Sequence, residues 1–343
     1  MVGAIIGDVV GSVFEWHNHR SKDFELVTDK NFFTDDTVLT VALMDWASHA
    51  KVRDSYSVVQ YLQKWARKYP NSGFGGRFSR EWMWIDNPRP YNSKGNGSGM
   101  RVSPVAYIAR NKEELFFLSD LVTSVTHNHY EGLKGARVIA YATWMALNNS
   151  SREEIKEMAE YYYPEIAEFD YEDLKKNYKF NELSETTCPQ AVYCFLISKD
   201  FEDCLRISVS IGGDTDTLCA MSCAIAEAYY GEIPKQLSDD VLIKLPNEML
   251  DVIINFNAMY DNREDRPFNL NKNDFPSIQK RLMQKENIAS DEDYWGIINA
   301  LANNSLSDGL SLGLLREYWY THDEKVLNAG ARNIILHCFA FYR

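Results

Sequence analysis

An all-α fold is predicted for this 343-residue chain by three observations. Apolar residues recur at three- and four-residue spacing in VVQYLQKWARKY, EELFFLSDLVTSV, GARVIAYATWMAL, REEIKEMAEYYY and FEDCLRISVSI, the period that gathers them on one face of a helix. Alternation with a period of two, the mark of a half-buried strand, is scarce. Two acidic strings, Thr34-Asp35-Asp36-Thr37 and Asp214-Thr215-Asp216-Thr217, each lead into an apolar helix-like run. Each string therefore sets hydroxyls and carboxylates in a first helical turn.

The first element is GAIIGDVVGSVFEW, where Gly3, Gly7 and Gly11 recur every four residues. On a helix that spacing makes a smooth stripe against which another backbone can lie closely. Asp8 and Glu15 are seven apart and share a face. The pattern predicts a buried, glycine-packed helix with Asp8 as a surface acid, while Glu15 is the acid with a further role. The run falls far short of the roughly 20 apolar residues of a membrane span, and its start lacks the basic residues of a signal peptide. No membrane association is expected.

A single Asp at the start of a helix caps it, accepting hydrogen bonds from free backbone N–H groups at the positive end of the dipole. One cap needs one acceptor, so the pair Asp35 and Asp36 leaves an acid over, and Asp214 and Asp216 repeat the excess. Mg2+ and Mn2+ take about six oxygen ligands in near-octahedral geometry. Thr34, Asp35, Asp36, Asp214, Asp216 and Thr217, with water, offer such a set.

Between the strings lie YPNSGFGGRF and PYNSKGNGSGMRVSPVAY, glycine-rich loops whose backbone N–H groups can approach a phosphate or sugar. They match neither a Walker loop, since no GK[ST] follows, nor a Rossmann fingerprint. THNHYEG, with His127 and His129, precedes a helical run, a position typical of solvent-facing caps; an oxygen-rich metal site needs neither histidine. The tract YYYPEIAEFDYEDLKKNYKFNELSE, residues 161–185, has no steady period and reads as a surface loop with a short helix.

The composition, 45% hydrophobic and 13% aromatic, supports a substantial core and one large domain or a domain with an appendage. Cys188, Cys194, Cys204, Cys219, Cys223 and Cys338 show no C-x-x-C spacing, and several sit in apolar runs, which fits reduced thiols in a cytoplasmic protein. The net charge is −13 with no basic cluster, so general nucleic-acid binding is not expected, whereas a basic or guanidinium-bearing partner is electrostatically welcome. The polar stretch YDNREDRPFNLNKNDFP marks a boundary. It divides the chain into a catalytic domain at 1–258, a linker at 259–276 and a helical C-terminal extension at 277–343. The extension is expected to serve oligomer or partner contact, or to pack on the core.

The ordered set GAIIGDVVGSVFEW, FTDDTVLT, GNGSGMRVSPVAY, THNHYEGLKGA, CPQAVYCFL and SVSIGGDTDTLCAMSCAIAEAYYGEIP resembles the ADP-ribosylglycohydrolase family, which includes dinitrogenase reductase-activating glycohydrolase and the ADP-ribosyl-acceptor hydrolases. The resemblance implies a compact, orthogonal multi-helix core, a binuclear Mg2+ or Mn2+ centre in a cleft, and hydrolysis of the bond between ADP-ribose and an acceptor. The N-glycosidic bond of ADP-ribosyl-arginine is the leading expectation. An O-linked serine, another ADP-ribose-linked or nucleotide-like compound, and a non-enzymatic crystallin-like role are the alternatives. Carried over by motif, Thr34, Asp35, Asp36, Asp214, Asp216 and Thr217 are implied metal ligands, with Glu15, Asp35 and Asp216 as catalytic residues. Gly95, Asn96, Gly97, Ser98, Gly99, Met100, Ser103 and His127 are implied substrate contacts. Phe14 and Trp16 beside Glu15, and Tyr130 in the histidine motif, depart from the family pattern. Five crowded carboxylates, Glu15, Asp35, Asp36, Asp214 and Asp216, also need cations on electrostatic grounds. ADP-ribose is the implied product, and an ADP-ribosylated protein or small molecule the partner.

Overall fold

The computed structural model describes residues 1–261. The expected extension at 277–343, most of the expected linker and Cys338 lie outside the described residues. Among the described residues there is no strand; Gly95 and Leu183 form an isolated antiparallel bridge. In chain order the helices are α1 (Gly3–Gly11), α2 (Asp35–His49), α3 (Ser55–Lys68), α4 (Pro104–Ile108), α5 (Lys112–Ser124), α6 (Tyr130–Leu147) and α7 (Arg152–Tyr162). They continue with α8 (Tyr171–Asn177), α9 (Ser184–Ile197), α10 (Phe201–Ile211), α11 (Thr215–Tyr230), α12 (Lys235–Leu242) and α13 (Asn247–Asp261). None is long and apolar enough to cross a membrane.

The glycine stripe of α1 does what its spacing predicts. α1 lies directly against α11, and a Cβ at Gly7 would stand 2.7 Å from the Ala220 nitrogen, while one at Gly11 would stand 2.6 Å from the Asp216 Cα. Ile5, Ile6, Val9 and Val10 turn the remaining sides of α1 into fully buried core. α11 packs in turn on α6, α9 and α10, while α2 spans from α1 to α3 and α13. The N-termini of α2 and α11 thereby reach the same place, each arriving with its acidic string.

Local chemistry sets the helix ends. Asp54 and Ser57 form a reciprocal capping box at the start of α3, as Ser151 and Glu154 do at α7; such a box satisfies two N–H groups that the helix itself cannot. Asn111 and Asp200 cap α5 and α10. The tract at 161–185 does contain a short helix, α8, but its end dips inward: the Tyr178 hydroxyl donates to the Thr186 carbonyl at 2.7 Å, and Glu182 reaches the cleft described below. α13 continues through Asp261, so residues 259–261 of the expected linker are helical. Met259 and Tyr260 pack on the core, Tyr260 edge-on to Tyr107. Cys188, Cys194, Cys204, Cys219 and Cys223 are buried free thiols, and burial pushes Cys188 up to about 12, which keeps it protonated.

Candidate metal centre and cleft

The fully buried Asp8 is the first departure from the sequence reading, which placed it on the surface. Its Oδ2 accepts from the backbone N–H groups of Thr34 and Thr37 at 2.9 and 3.0 Å, and its Oδ1 accepts from the Thr34 hydroxyl at 2.7 Å. A carboxylate on α1 therefore satisfies the free N-terminal donors of α2, across the helix boundary. One signal of this was present in the sequence: Asp8 sits between Ile5-Ile6 and Val9-Val10, a run too apolar on all sides to leave a free face for a solvated acid.

The acids of the two strings do not serve as N-caps, although Asp216 Oδ1 accepts from the Thr217 N–H at 2.9 Å. Thr34 is the N-cap of α2 and its hydroxyl accepts from the Asp36 N–H at 3.3 Å, whereas Asp214, in the N-cap position of α11, makes no capping bond. Asp214 accepts instead from the Asn96 amide at 2.7 Å. The chain enters α11 through Gly212 and Gly213 at φ +71° and +85°, values that an L side chain rarely adopts. Asn18 brackets this turn, accepting from the Gly213 N–H at 3.0 Å and donating to its carbonyl at 3.1 Å. The double glycine thus aims Asp214 and Asp216 at α2.

The carboxylates converge as two overlapping triads. Ligand oxygens of Asp8, Asp36 and Asp216 lie within 4.8 Å of one another, and so do those of Glu15, Asp214 and Asp216. Asp216 belongs to both. The Thr217 hydroxyl lies 3.2 Å from Asp36 Oδ2, and Thr34 Oγ1 lies 3.4 Å from the same oxygen. Asp35 stands in neither triad; half-buried, it faces the cleft beside Gly73.

The electrostatics call for cations. Burial, then repulsion from Asp216 and Asp8, holds Asp35 and Asp36 well above the usual carboxylate range, and burial with the neighbouring Asp214 does the same to Asp216. Burial raises Asp214 to about 6. Glu15, half-buried, rises to about 7 through desolvation and the charges of Asp216, Glu182 and Asp8. The ion pairs of the described residues include none of these acids, and Asp36 Oδ1 is buried with no hydrogen-bond partner. An all-oxygen donor set with an unused buried carboxylate oxygen fits hard divalent cations such as Mg2+ or Mn2+. Two positions sharing Asp216 fit the two triads.

Above the acids opens a cleft of about 830 Å³, within the range of small-molecule sites. Gly95, Asn96, Gly97, Met100 and His127 line it, together with Glu15, Thr34, Asp35, Asp36, Asp214, Asp216 and Thr217. Ser98, Gly99 and Ser103 are placed away from it. Ser98 is fully buried and donates to the Gly132 carbonyl at 2.8 Å, Gly99 is pressed against Cys188 and Met221, and Ser103 is buried at the start of α4. A short 3-10 turn over Asn96–Ser98 bends the loop, so that Gly95, Asn96 and Gly97 border the cleft while Ser98 and Gly99 turn into the core. His129 caps α6, accepting from the Glu131 N–H at 3.1 Å; His127, by contrast, is buried and not a cap. Tyr91, Arg101 and Glu182 also line the cleft and were not singled out from the sequence; Tyr91 and Arg101 flank the glycine loop within the same segment, whereas Glu182 comes from the tract without a steady period.

The family model described as ADP-ribosylglycohydrolase matches residues 1–261. The ADP-ribosylhydrolase ARH3 of Mus musculus is 25% identical over 308 residues, covering 67% of this chain and 82% of the mouse protein. The ADP-ribosylarginine hydrolase Tri1 of Pseudomonas putida is 26% identical over 262 residues, covering 67% of this chain and 69% of that protein. A solved structure titled ADP-ribosylglycohydrolase-related protein complex superposes with a TM-score of 0.60 at 22% identity, over 76% of this chain and 95% of that one, a likeness of fold. With its all-helical architecture and the match across every described residue, this chain belongs to the ADP-ribosylglycohydrolase family.

Proposed function

We propose that this protein is a divalent-cation-dependent hydrolase that removes ADP-ribose from a modified acceptor, and that its preferred bond is the N-glycosidic bond of ADP-ribosyl-arginine. The observation that carries the reading is the pair of carboxylate triads sharing Asp216 on the floor of an open cleft, in a chain of this family. Thr34, Asp35, Asp36, Asp214, Asp216 and Thr217 are the proposed ligands, with Glu15 completing the second triad and Asp8 the first. When bound, Mg2+ or Mn2+ would orient the ribose hydroxyls and offset the charge of the carboxylates.

The chain's own groups account for the rest. Asn96, held to Asp214 at 2.7 Å, and the flanking Gly95 and Gly97 border the cleft where the ADP-ribosyl group would lie, and His127 stands beside them. Glu15 is the proposed general base: as the partly exposed member of the second triad, it can take a proton from water as the water oxygen bonds to the anomeric carbon. The carbon–nitrogen bond to the acceptor breaks, the acceptor leaves with its electron pair, and its nitrogen gains one proton in exchange for the one Glu15 took from water, which returns Glu15 to its carboxylate. Arginine as the acceptor is supported by Glu15 and Glu182 at the rim and by the net charge of −13, which favour a guanidinium. The name of the Pseudomonas putida relative agrees.

The test is mass-spectrometric detection of ADP-ribose released from peptides ADP-ribosylated on arginine or on serine, with Mg2+, with Mn2+ and with chelator. Release from the arginine linkage that chelator abolishes is the expected result. Preference for the serine linkage would overturn the acceptor assignment, and undiminished release in chelator would overturn the metal assignment.

A further inference from the structure

His127 is a buried ring whose two nitrogens face different surroundings. On one side, Nδ1 lies 2.7 Å from the hydroxyl oxygen of Thr126. On the other, Nε2 points at the glycine loop, 3.2 Å from where a Cβ on Gly97 would stand and 3.6 Å from one on Gly95. Those two positions carry no side chain, so Nε2 opens on the cleft that His127 lines.

The Thr126 hydroxyl has one proton, and its destination follows from the groups around it. Its oxygen accepts from the Arg101 guanidinium at 2.7 Å, so the lone pair facing Arg101 is used and the proton must go elsewhere. Two acceptors are in reach. The Thr123 carbonyl is 3.5 Å away, well beyond the usual 2.7–2.8 Å of an O–H···O bond. That carbonyl already accepts the backbone N–H groups of Thr126 at 3.2 Å and His127 at 2.9 Å, which fill its two lone pairs. Nδ1 of His127, at 2.7 Å, is the remaining acceptor.

We infer that Arg101 and Thr126 are positioning residues that fix His127 in the tautomer with an unprotonated Nδ1 and a proton on Nε2, so that it presents a hydrogen-bond donor to an acceptor oxygen of the ADP-ribosyl group. The inference rests on the proposed function for the identity of the ligand and on the hydrogen bonds alone for the tautomer. Arg101 suits the part. Its side chain is 1% exposed, and besides Thr126 it is anchored to the Gly97 and Val122 carbonyls at 3.1 and 3.3 Å. The same guanidinium therefore holds both the loop and the histidine that faces it. Burial, with the cationic Arg101 nearby, keeps His127 well below the ordinary histidine range, so the ring is neutral and its tautomer defined at neutral pH. A ring fixed this way gives an N–H to phosphate or ribose oxygens and no acceptor to a competing donor.

The test is long-range 15N–1H correlation of the histidine-labelled wild-type protein, which reads the protonation of each ring nitrogen directly, together with calorimetric titration of ADP-ribose. The expected spectrum of His127 is that of a single tautomer protonated at Nε2. Thr126→Val should mix the tautomers and weaken ADP-ribose by about tenfold, a loss of about 1.4 kcal/mol, while Thr126→Ser keeps both the tautomer and the affinity. A wild-type ring protonated at Nδ1, or an unchanged tautomer in folded Thr126→Val, would overturn the inference; the first needs no variant to fold. Absence of ADP-ribose binding to the wild type would strike the proposed ligand and leave the tautomer to be judged on its spectrum.

Discussion

Gly11→Ala tests whether the close approach of α1 and α11 is what assembles the carboxylates. An alanine Cβ at this position would stand 2.6 Å from both the Asp216 Cα and the Thr215 carbonyl oxygen, and 2.8 Å from the Asp216 nitrogen. All three are backbone atoms, so no side chain can swing aside, and ordinary contact begins at 3.4 Å. Relief requires α11 to move from α1 by roughly 1 Å at Asp216, an overpacking cost of about 1–3 kcal/mol. For a domain of this size that is a fall in Tm of about 3–10 °C. The displaced residue is shared by both triads, and Mg2+ ligands must stand at about 2.0–2.1 Å. Divalent affinity should therefore fall by at least about tenfold and hydrolysis by about a hundredfold. Differential scanning fluorimetry across a Mg2+ titration reads stability and affinity together. Gly75→Ala, where an added Cβ meets nothing within 4 Å, is the control and should leave Tm within about 1 °C. A Gly11→Ala protein with wild-type Tm and a wild-type Mg2+ response would refute the argument that this contact sets the geometry.

Asp216→Asn should retain far-UV helicity and stabilise the metal-free protein, because it removes one of several mutually repelling buried charges. It should lose the Mg2+-dependent rise in Tm and reduce ADP-ribose release by more than about a hundredfold; a preserved Mg2+ response would count against the shared ligand. Carboxylates raised in the folded state contribute stability that is fully present below their ordinary values and lost as pH rises through the raised ones, about 6 for Asp214 and about 7 for Glu15. The Tm of the metal-free protein should thus fall between roughly pH 4 and 7, and saturating Mg2+ should flatten that slope; a metal-free Tm that rises over this interval would contradict the assigned repulsion. Glu15→Gln should lower kcat on ADP-ribosyl-arginine far more than it weakens ADP-ribose binding measured by calorimetry, and equal losses in both would remove Glu15 from the role of base.

Helical periodicity and the glycine and acid patterns are local properties, and they were legible in the chain. The 3.6-residue period in segments such as VVQYLQKWARKY marks α3 without reference to anything distant. Gly3, Gly7 and Gly11 announce a backbone contact because only absent side chains permit one, and the surplus of acids at two helix starts announces a carboxylate cluster because a cap uses a single acceptor. What these patterns leave open is which element answers which. The partner of the stripe, α11, begins about two hundred residues later; Asn96 meets Asp214 across 118 positions; and Glu182 comes to the rim from a tract without a period. Tertiary packing alone buried Asp8 under the start of α2, gave Asp216 to both triads while leaving Asp35 outside them, and turned Ser98, Gly99 and Ser103 away from the cleft. Periodicity fixes the face on which a side chain stands, but its partners depend on how helices far apart in the chain pack, and that packing is set by the whole core at once.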